Sequence, residues 1–155
     1  MIEATQPQWP DPLQKPTATA VAALLTDFWQ LLQPLPDLLQ RQEHLLAEQL
    51  TSRLRGVIIE MMLALNGIQW PTDTRHLNGY LSASQRAALE KTLVVPTVSA
   101  ESWIGRAVAL VVIYRWYAPQ LVEKFDLAYP QALETQVWAH LQQCIPDWPL
   151  SVTTD

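Results

Sequence analysis

From Val21 onward the apolar residues fall at steps of three and four. Val21, Leu24, Leu25, Phe28, Leu31, Leu32 and Leu35 form one continuous stripe, the spacing of an amphipathic helix and not of a strand. Pro34 and Pro36 interrupt it. Proline lacks the backbone donor and clashes with the preceding turn, so the helix is expected to kink or restart there. From Leu38 the pattern resumes: Leu46, Leu50, Leu54, Val57, Ile58, Met61 and Leu65 predict a long amphipathic helix that stops at Asn66-Gly67. Pro71, Asp73, Asn78 and Gly79 mark the stretch from Ile68 to Leu81 as a connection, and Ser82 with Gln85 opens a short helical segment ending near Leu93. Ser99 stands as an N-cap with Glu101 and Ser102 in the first turn, and the apolar pattern then runs from Trp103 to Phe125. That helix would be roughly 35 Å long. With Leu110, Val112, Ile113 and Trp116 opposite Ile104, Val108 and Val111, it reads as the central, most buried element. A last helix starts near Pro130 and turns Leu133, Val137, Leu141 and Cys144 inward.

These elements make an all-α bundle of about five helices, with a long buried helix near 100–125. The bundle is expected to occupy residues 17–145, after an extended leader over 1–16 that holds four prolines and before an irregular tail over 146–155. Of the 155 residues 49% are apolar and 16% charged, with a net charge of −5. That describes one mildly acidic domain able to bury an ordinary core. Cys144 is the single cysteine, so no internal disulfide can form, which points to a reducing, cytoplasmic setting. Ten basic against fifteen acidic residues, without a run of like charge, argue against a nucleic-acid surface. The longest apolar run, Ala107 to Tyr114, lies between Arg106 and Arg115 and falls far short of the roughly 20 residues a membrane span needs.

Two charged residues fall on apolar stripes. At 100° per residue Arg115 lies within roughly 20° of Ile104 on its helix. If the second long helix runs back through Gln42, Glu43 falls in line with Leu50, Leu54 and Met61. An ion on such a stripe requires a partner, and the two are expected to meet. One interpretation is a buried or half-buried ion pair that fixes geometry. The other is a polar pocket in which Arg115 orients an anionic or hydroxyl-rich ligand and Glu43 accepts its hydroxyl protons.

Other chemistry is sparse. Of His44, His76 and His140 only His44 has a carboxylate one turn away, Glu48, and two ligands do not make a metal site. No metal and no cofactor are expected. Gly56, Gly67, Gly79 and Gly105 are too scattered for a phosphate-cradling loop. Seven tryptophans are read chiefly as structural, with a ring-stacking ligand site as the alternative. Trp29, Trp103, Trp116 and Trp138 fill helix stripes, while Trp9-Pro10, Trp70-Pro71 and Trp148-Pro149 pin irregular segments onto the bundle.

One constellation is familiar. Phe28-Trp29 followed by Leu31-Leu32, then Arg41-Gln42-Glu43 and Ala47, and later Arg53 and Arg55, resembles the helical C-terminal domain of bacterial nucleotidyltransferases of the aminoglycoside-adenylyltransferase kind. In that family a Phe-Trp pair is followed about a dozen residues on by an Arg-Gly-Glu-like element; here Gln42 stands where glycine is frequent. The resemblance implies a domain covering the acceptor side of the active-site cleft, with Arg41 and Glu43 nearest the acceptor. The family's catalytic half also needs a Gly-Ser element and paired aspartates that hold magnesium. Asp27, Asp37, Asp73 and Asp126 are isolated, so the chain alone is not expected to transfer a nucleotidyl group. It would be an excised domain, a subunit completing a cleft in another protein, or a descendant without the chemistry. The expectation is therefore a helical binding domain using Arg41, Glu43 and Arg115, partnered by a nucleotidyltransferase catalytic domain or subunit. The alternative is an interaction module that homodimerises through an apolar helix face and holds no small molecule.

Overall fold

The Thr17 hydroxyl accepts a hydrogen bond from the Ala20 backbone N–H at 3.1 Å, supplying one of the donors a helix start leaves open, and α1 (Ala18–Leu32) begins there. In the computed structural model, which describes residues 10–149, the two prolines do restart the helix. Pro34 caps α2 (Leu35–Gln40), and Pro36 sits in its first turn, where its missing N–H costs nothing. Next come α3 (His44–Leu65), a 3₁₀ turn (Leu77–Tyr80), α4 (Ala83–Lys91), α5 (Ala100–Phe125) and α6 (Gln131–Cys144). Five of these helices have nine residues or more, and no strand occurs among the described residues. None of the described helices is long and apolar enough to cross a membrane.

The second apolar stripe is not one helix back through Gln42. The Glu43 N–H donates to the Leu38 carbonyl at 2.9 Å and the Gln42 N–H to that of Leu39 at 3.1 Å, a Schellman closure with Gln42 left-handed at φ 56°. The same closure ends α3, where Gly67 has φ 90°, the Ile68 N–H reaches Leu63 O and the Gly67 N–H reaches Ala64 O. Asn66-Gly67 is thus the stop its sequence indicated. Asp126, at φ 53°, takes the left-handed position after α5. Ser82 and Gln85 form a full capping box at the start of α4.

Helices α3 and α5 run parallel through the centre. His44 meets Trp103, Glu48 meets Arg106, and the Leu65 carbonyl meets Lys124. α1 lies antiparallel on α3, and α6 packs chiefly on α1, reaching α5 through side chains such as Glu134 and Trp138, which meet Arg115. The core is closed by Phe28 and Tyr114, stacked at 4.2 Å, with Trp29 edge-on to both at 5.4 Å. The Tyr114 hydroxyl donates to the Leu25 carbonyl at 2.8 Å. Trp148 is buried and edge-on to Trp138 at 5.4 Å, so this Trp-Pro pair does pin the segment after α6. Trp9 lies outside the described residues.

Two faces differ from expectation. Trp116 is 56% exposed, because α5 turns Trp116, Pro119 and Gln120 outward near its end, and α3 shares the centre with α5. Cys144 is exposed, since the inward stripe of α6 ends at Leu141 and the chain leaves the helix at Ile145.

Candidate functional site

Arg41, Glu43 and Arg115 do not converge. Arg41 pairs with Asp37 one turn back at 3.2 Å, both well exposed. Glu43 is an exposed N-cap of α3, held outside the stripe by the left-handed Gln42. α3 begins level with Trp103, and Arg115 lies twelve residues further along α5, about 18 Å away at 1.5 Å per residue. The partner Arg115 needed is Glu134 of α6, at 3.0 Å, and its guanidinium also covers the Trp138 ring at 4.5 Å. Tyr129 stands beside this pair and accepts from the Trp29 indole at 3.1 Å; burial pushes its phenol up to about 12. Arg115, Tyr129 and Glu134 border a cavity of about 460 Å³ walled by Ala118, Pro119 and Val122. Arg115 thus sits in a half-buried ion pair, with Glu134 in place of the expected Glu43.

The helix starts carry a second polar cluster that the sequence reading did not assemble. Arg106 is buried and donates to Glu48, to the Thr51 hydroxyl at 3.2 Å and to the Leu93 carbonyl at 3.1 Å. Arg55, also buried, donates to the hydroxyl and carbonyl of Thr92 at 2.7 and 2.9 Å. Burial, then the Arg106 charge, lowers the Arg55 guanidinium from its ordinary value, and Glu48 opposes this. With Glu48 committed to Arg106 and His44 Nδ1 accepting from the Trp103 indole at 3.0 Å, the His44–Glu48 pair is structural.

A different set of groups stands open. Antiparallel packing of α1 on α3 leaves a groove of about 540 Å³ bordered by Asp27 and Gln30 of α1, Arg53, Gly56 and Glu60 of α3, and Trp70 of the following connection. Burial first, and then the nearby Asp27 charge, raises the Glu60 carboxyl above its ordinary value. Among the described residues the side chains of Asp27, Arg53 and Glu60 make no hydrogen bond or ion pair. The groove floor is Gly56, mid-helix, where a Cβ would meet nothing within 4 Å. Packing therefore does not demand glycine, and glycine in a helix interior costs roughly 0.5–1 kcal/mol relative to alanine. The absent side chain keeps the groove open. Glu60 and Trp70 also border a smaller neighbouring cavity of about 130 Å³ toward Leu24 and Ile68.

This arrangement can bind a cation between two carboxylates and lay an apolar or ring surface on an indole. Of these residues the sequence linked only Arg53 to a site, through the resemblance; Asp27 read as an isolated aspartate, Gly56 as a scattered glycine and Trp70 as structural. The signal for the rest was Gly56 inside a long helix with Arg53 and Glu60 one turn to either side; Asp27 and Trp70 are brought in only by tertiary packing.

The chain matches the streptomycin adenylyltransferase family over residues 5–144, that is 140 of 155 residues. It belongs to the streptomycin adenylyltransferase family. No curated protein and no solved structure matches it. Membership makes this a nucleotidyltransferase-related domain, as the Phe28-Trp29 and Arg41-Gln42-Glu43 elements implied. It also gives the departure at Gln42 a meaning: the position is left-handed, which is the conformation glycine adopts without strain.

Proposed function

We propose that this member of the streptomycin adenylyltransferase family is an acceptor-recognition domain. It holds a cationic, hydroxyl-rich small molecule in the α1–α3 groove, and a catalytic domain or subunit carrying the paired aspartates performs nucleotidyl transfer. The observation that carries this is the groove itself: Asp27 and Glu60 face one space without an internal cation bonded to them, over a glycine floor and beside Trp70. A raised carboxyl is stabilised in its ionised form by an arriving cation. In this proposal Asp27 and Glu60 take the ligand's positive groups, Trp70 stacks on its ring, and Gln30 and Arg53 take hydroxyls. Arg41 and Glu43 lie apart, at the α2–α3 junction, and are assigned to the side facing the catalytic partner. Arg115 supports the fold through Glu134.

Calorimetric titration of the purified chain with streptomycin tests this. Binding is expected, weakened about tenfold or more by Glu60→Gln or by Gly56→Leu, with helical content retained. Binding unaffected by either change would refute the groove assignment.

A second interpretation rests on one observation. Leu45, Val94 and Val98 are 84%, 73% and 69% exposed, and apolar surface of that kind favours self-association. Sedimentation of wild type and of Leu45→Lys/Val94→Lys decides it: a dimer lost in the variant supports this interpretation, and a monomer at all concentrations removes it.

A further inference from the structure

Trp70 belongs to a connection and is held by no helix of its own, yet it walls the proposed groove. Its ring packs against the core, and the backbone that carries it is tied to residues 10–16. The Gln69 N–H donates to the Gln14 carbonyl at 2.7 Å, directly before Trp70. One carboxylate oxygen, Asp11 Oδ2, accepts from the Thr74 hydroxyl at 2.5 Å and from the Tyr80 hydroxyl at 2.7 Å. Thr74 Oγ1 in turn accepts from the His76 N–H at 3.0 Å, so its proton is directed to Asp11. The Tyr80 carbonyl takes a bond from the Asn66 amide at 2.9 Å, which ties the clasp to the end of α3. Residues 10–16 therefore lie across the connection as a strap fastened at both ends. Pro12, Gln14, Trp70 and Pro71 enclose a cavity of about 220 Å³ beneath it. The two bonds hold the Asp11 carboxyl below its ordinary value, with a smaller contribution from His76.

We propose that Asp11 is a positioning residue: its carboxylate clasps the strap to the connection and thereby holds the Trp70 ring as a fixed wall of the α1–α3 groove. The part concerning ligand rests on the acceptor-recognition proposal; the clasp itself does not. The Thr74 and Tyr80 hydroxyls must donate to a charged acceptor, and such bonds are about twice as strong as neutral ones. Asn at position 11 keeps the shape and loses the charge.

The full chain labelled with 5-fluorotryptophan gives a ¹⁹F resonance for Trp70, assigned by its loss in Trp70→Phe. In Asp11→Asn that resonance is expected to shift or broaden while those of Trp29, Trp138 and Trp148 stay in place. Tyr80→Phe should move it the same way by a smaller amount, and streptomycin affinity should fall about three- to tenfold in Asp11→Asn. A Trp70 resonance unmoved in both variants overturns the clasp. A moved resonance with unchanged affinity overturns its role in binding. If wild type binds no streptomycin, the acceptor proposal fails, and the Trp70 resonance alone decides the clasp.

Discussion

At Gln42 a long side chain occupies a left-handed backbone position, φ 56°, that ends α2 and aims the chain into α3. An L-residue with a Cβ pays about 1–2 kcal/mol there, part of which glycine returns through its freer unfolded chain. Gln42→Gly should therefore raise stability by about 0.5–1 kcal/mol, seen as a higher urea midpoint with an unchanged slope; a loss of stability would show that Gln42 makes a contact worth more than its strain. The polar clusters predict unequal costs. Glu48→Ala leaves the buried Arg106 guanidinium without its carboxylate and should cost about 2 kcal/mol, less than for a fully enclosed pair because Glu48 is half exposed. Arg41→Ala, whose partner Asp37 is exposed, should cost no more than about 0.5 kcal/mol. Glu60 gives a pH signature. Its folded-state value is raised above 4.5, so the folded protein holds this proton more tightly than the unfolded chain does. That contribution to stability is complete below the unfolded value and is lost as pH rises through the folded one. Glu60→Gln should thus be the more stable protein at neutral pH, with the gap closing below pH 4.5. Melting curves of both across the acid range check this, and a gap that widens toward acid would contradict it.

At the scale of elements, α3 carries most of the proposed groove. Arg53, Gly56 and Glu60 recur at steps of three and four on one face of it, and its opposite face buries Leu54, Ile58 and Met61. Gly56→Ala places a methyl in open space, so it should stabilise the helix by up to about 1 kcal/mol while narrowing the groove floor. A gain in melting temperature together with weaker ligand binding is the expected pair of results, and equal or tighter binding would show that the floor is not in contact. What the sequence made legible follows the range of each signal. Helical period, the Ser82–Gln85 box and the Asn66-Gly67 stop are local patterns, and they place α1, α4, α5 and α6 close to their observed ends. The Schellman turn at Gln42 was hidden because its usual marker, glycine, is absent. Without it Glu43 seemed to share a stripe with Leu50 and Leu54, and a meeting with Arg115 followed. Arg115 did need a carboxylate, but a helical wheel gives the angle of a residue on one helix and nothing about which helix faces it. Glu134, from α6, was therefore out of reach of sequence reasoning.

The whole molecule is a bundle built on two long parallel helices, and its polar groups divide by face. The α1–α3 face has the open groove with its unbonded charges. The α5–α6 face closes its ion pair internally, and around the starts of α3 and α5 lie the Arg55 and Arg106 clusters, the exposed Leu45 of α3 and the exposed Val94 of the α4–α5 connection. Family membership was legible because Phe28-Trp29 and the Arg41–Glu43 element are contiguous. The groove was not, because Asp27, Glu60 and Trp70 come from three segments that only packing unites. The most direct test of that division is a ¹⁵N-resolved NMR titration of the chain with streptomycin. The account predicts saturable shifts concentrated at Asp27, Gly56, Glu60 and the Trp70 indole N–H, with Arg115, Glu134 and the Trp138 indole left in place. Shifts centred on the Arg115–Glu134 cavity, or on the Arg41–Glu43 junction, would contradict it.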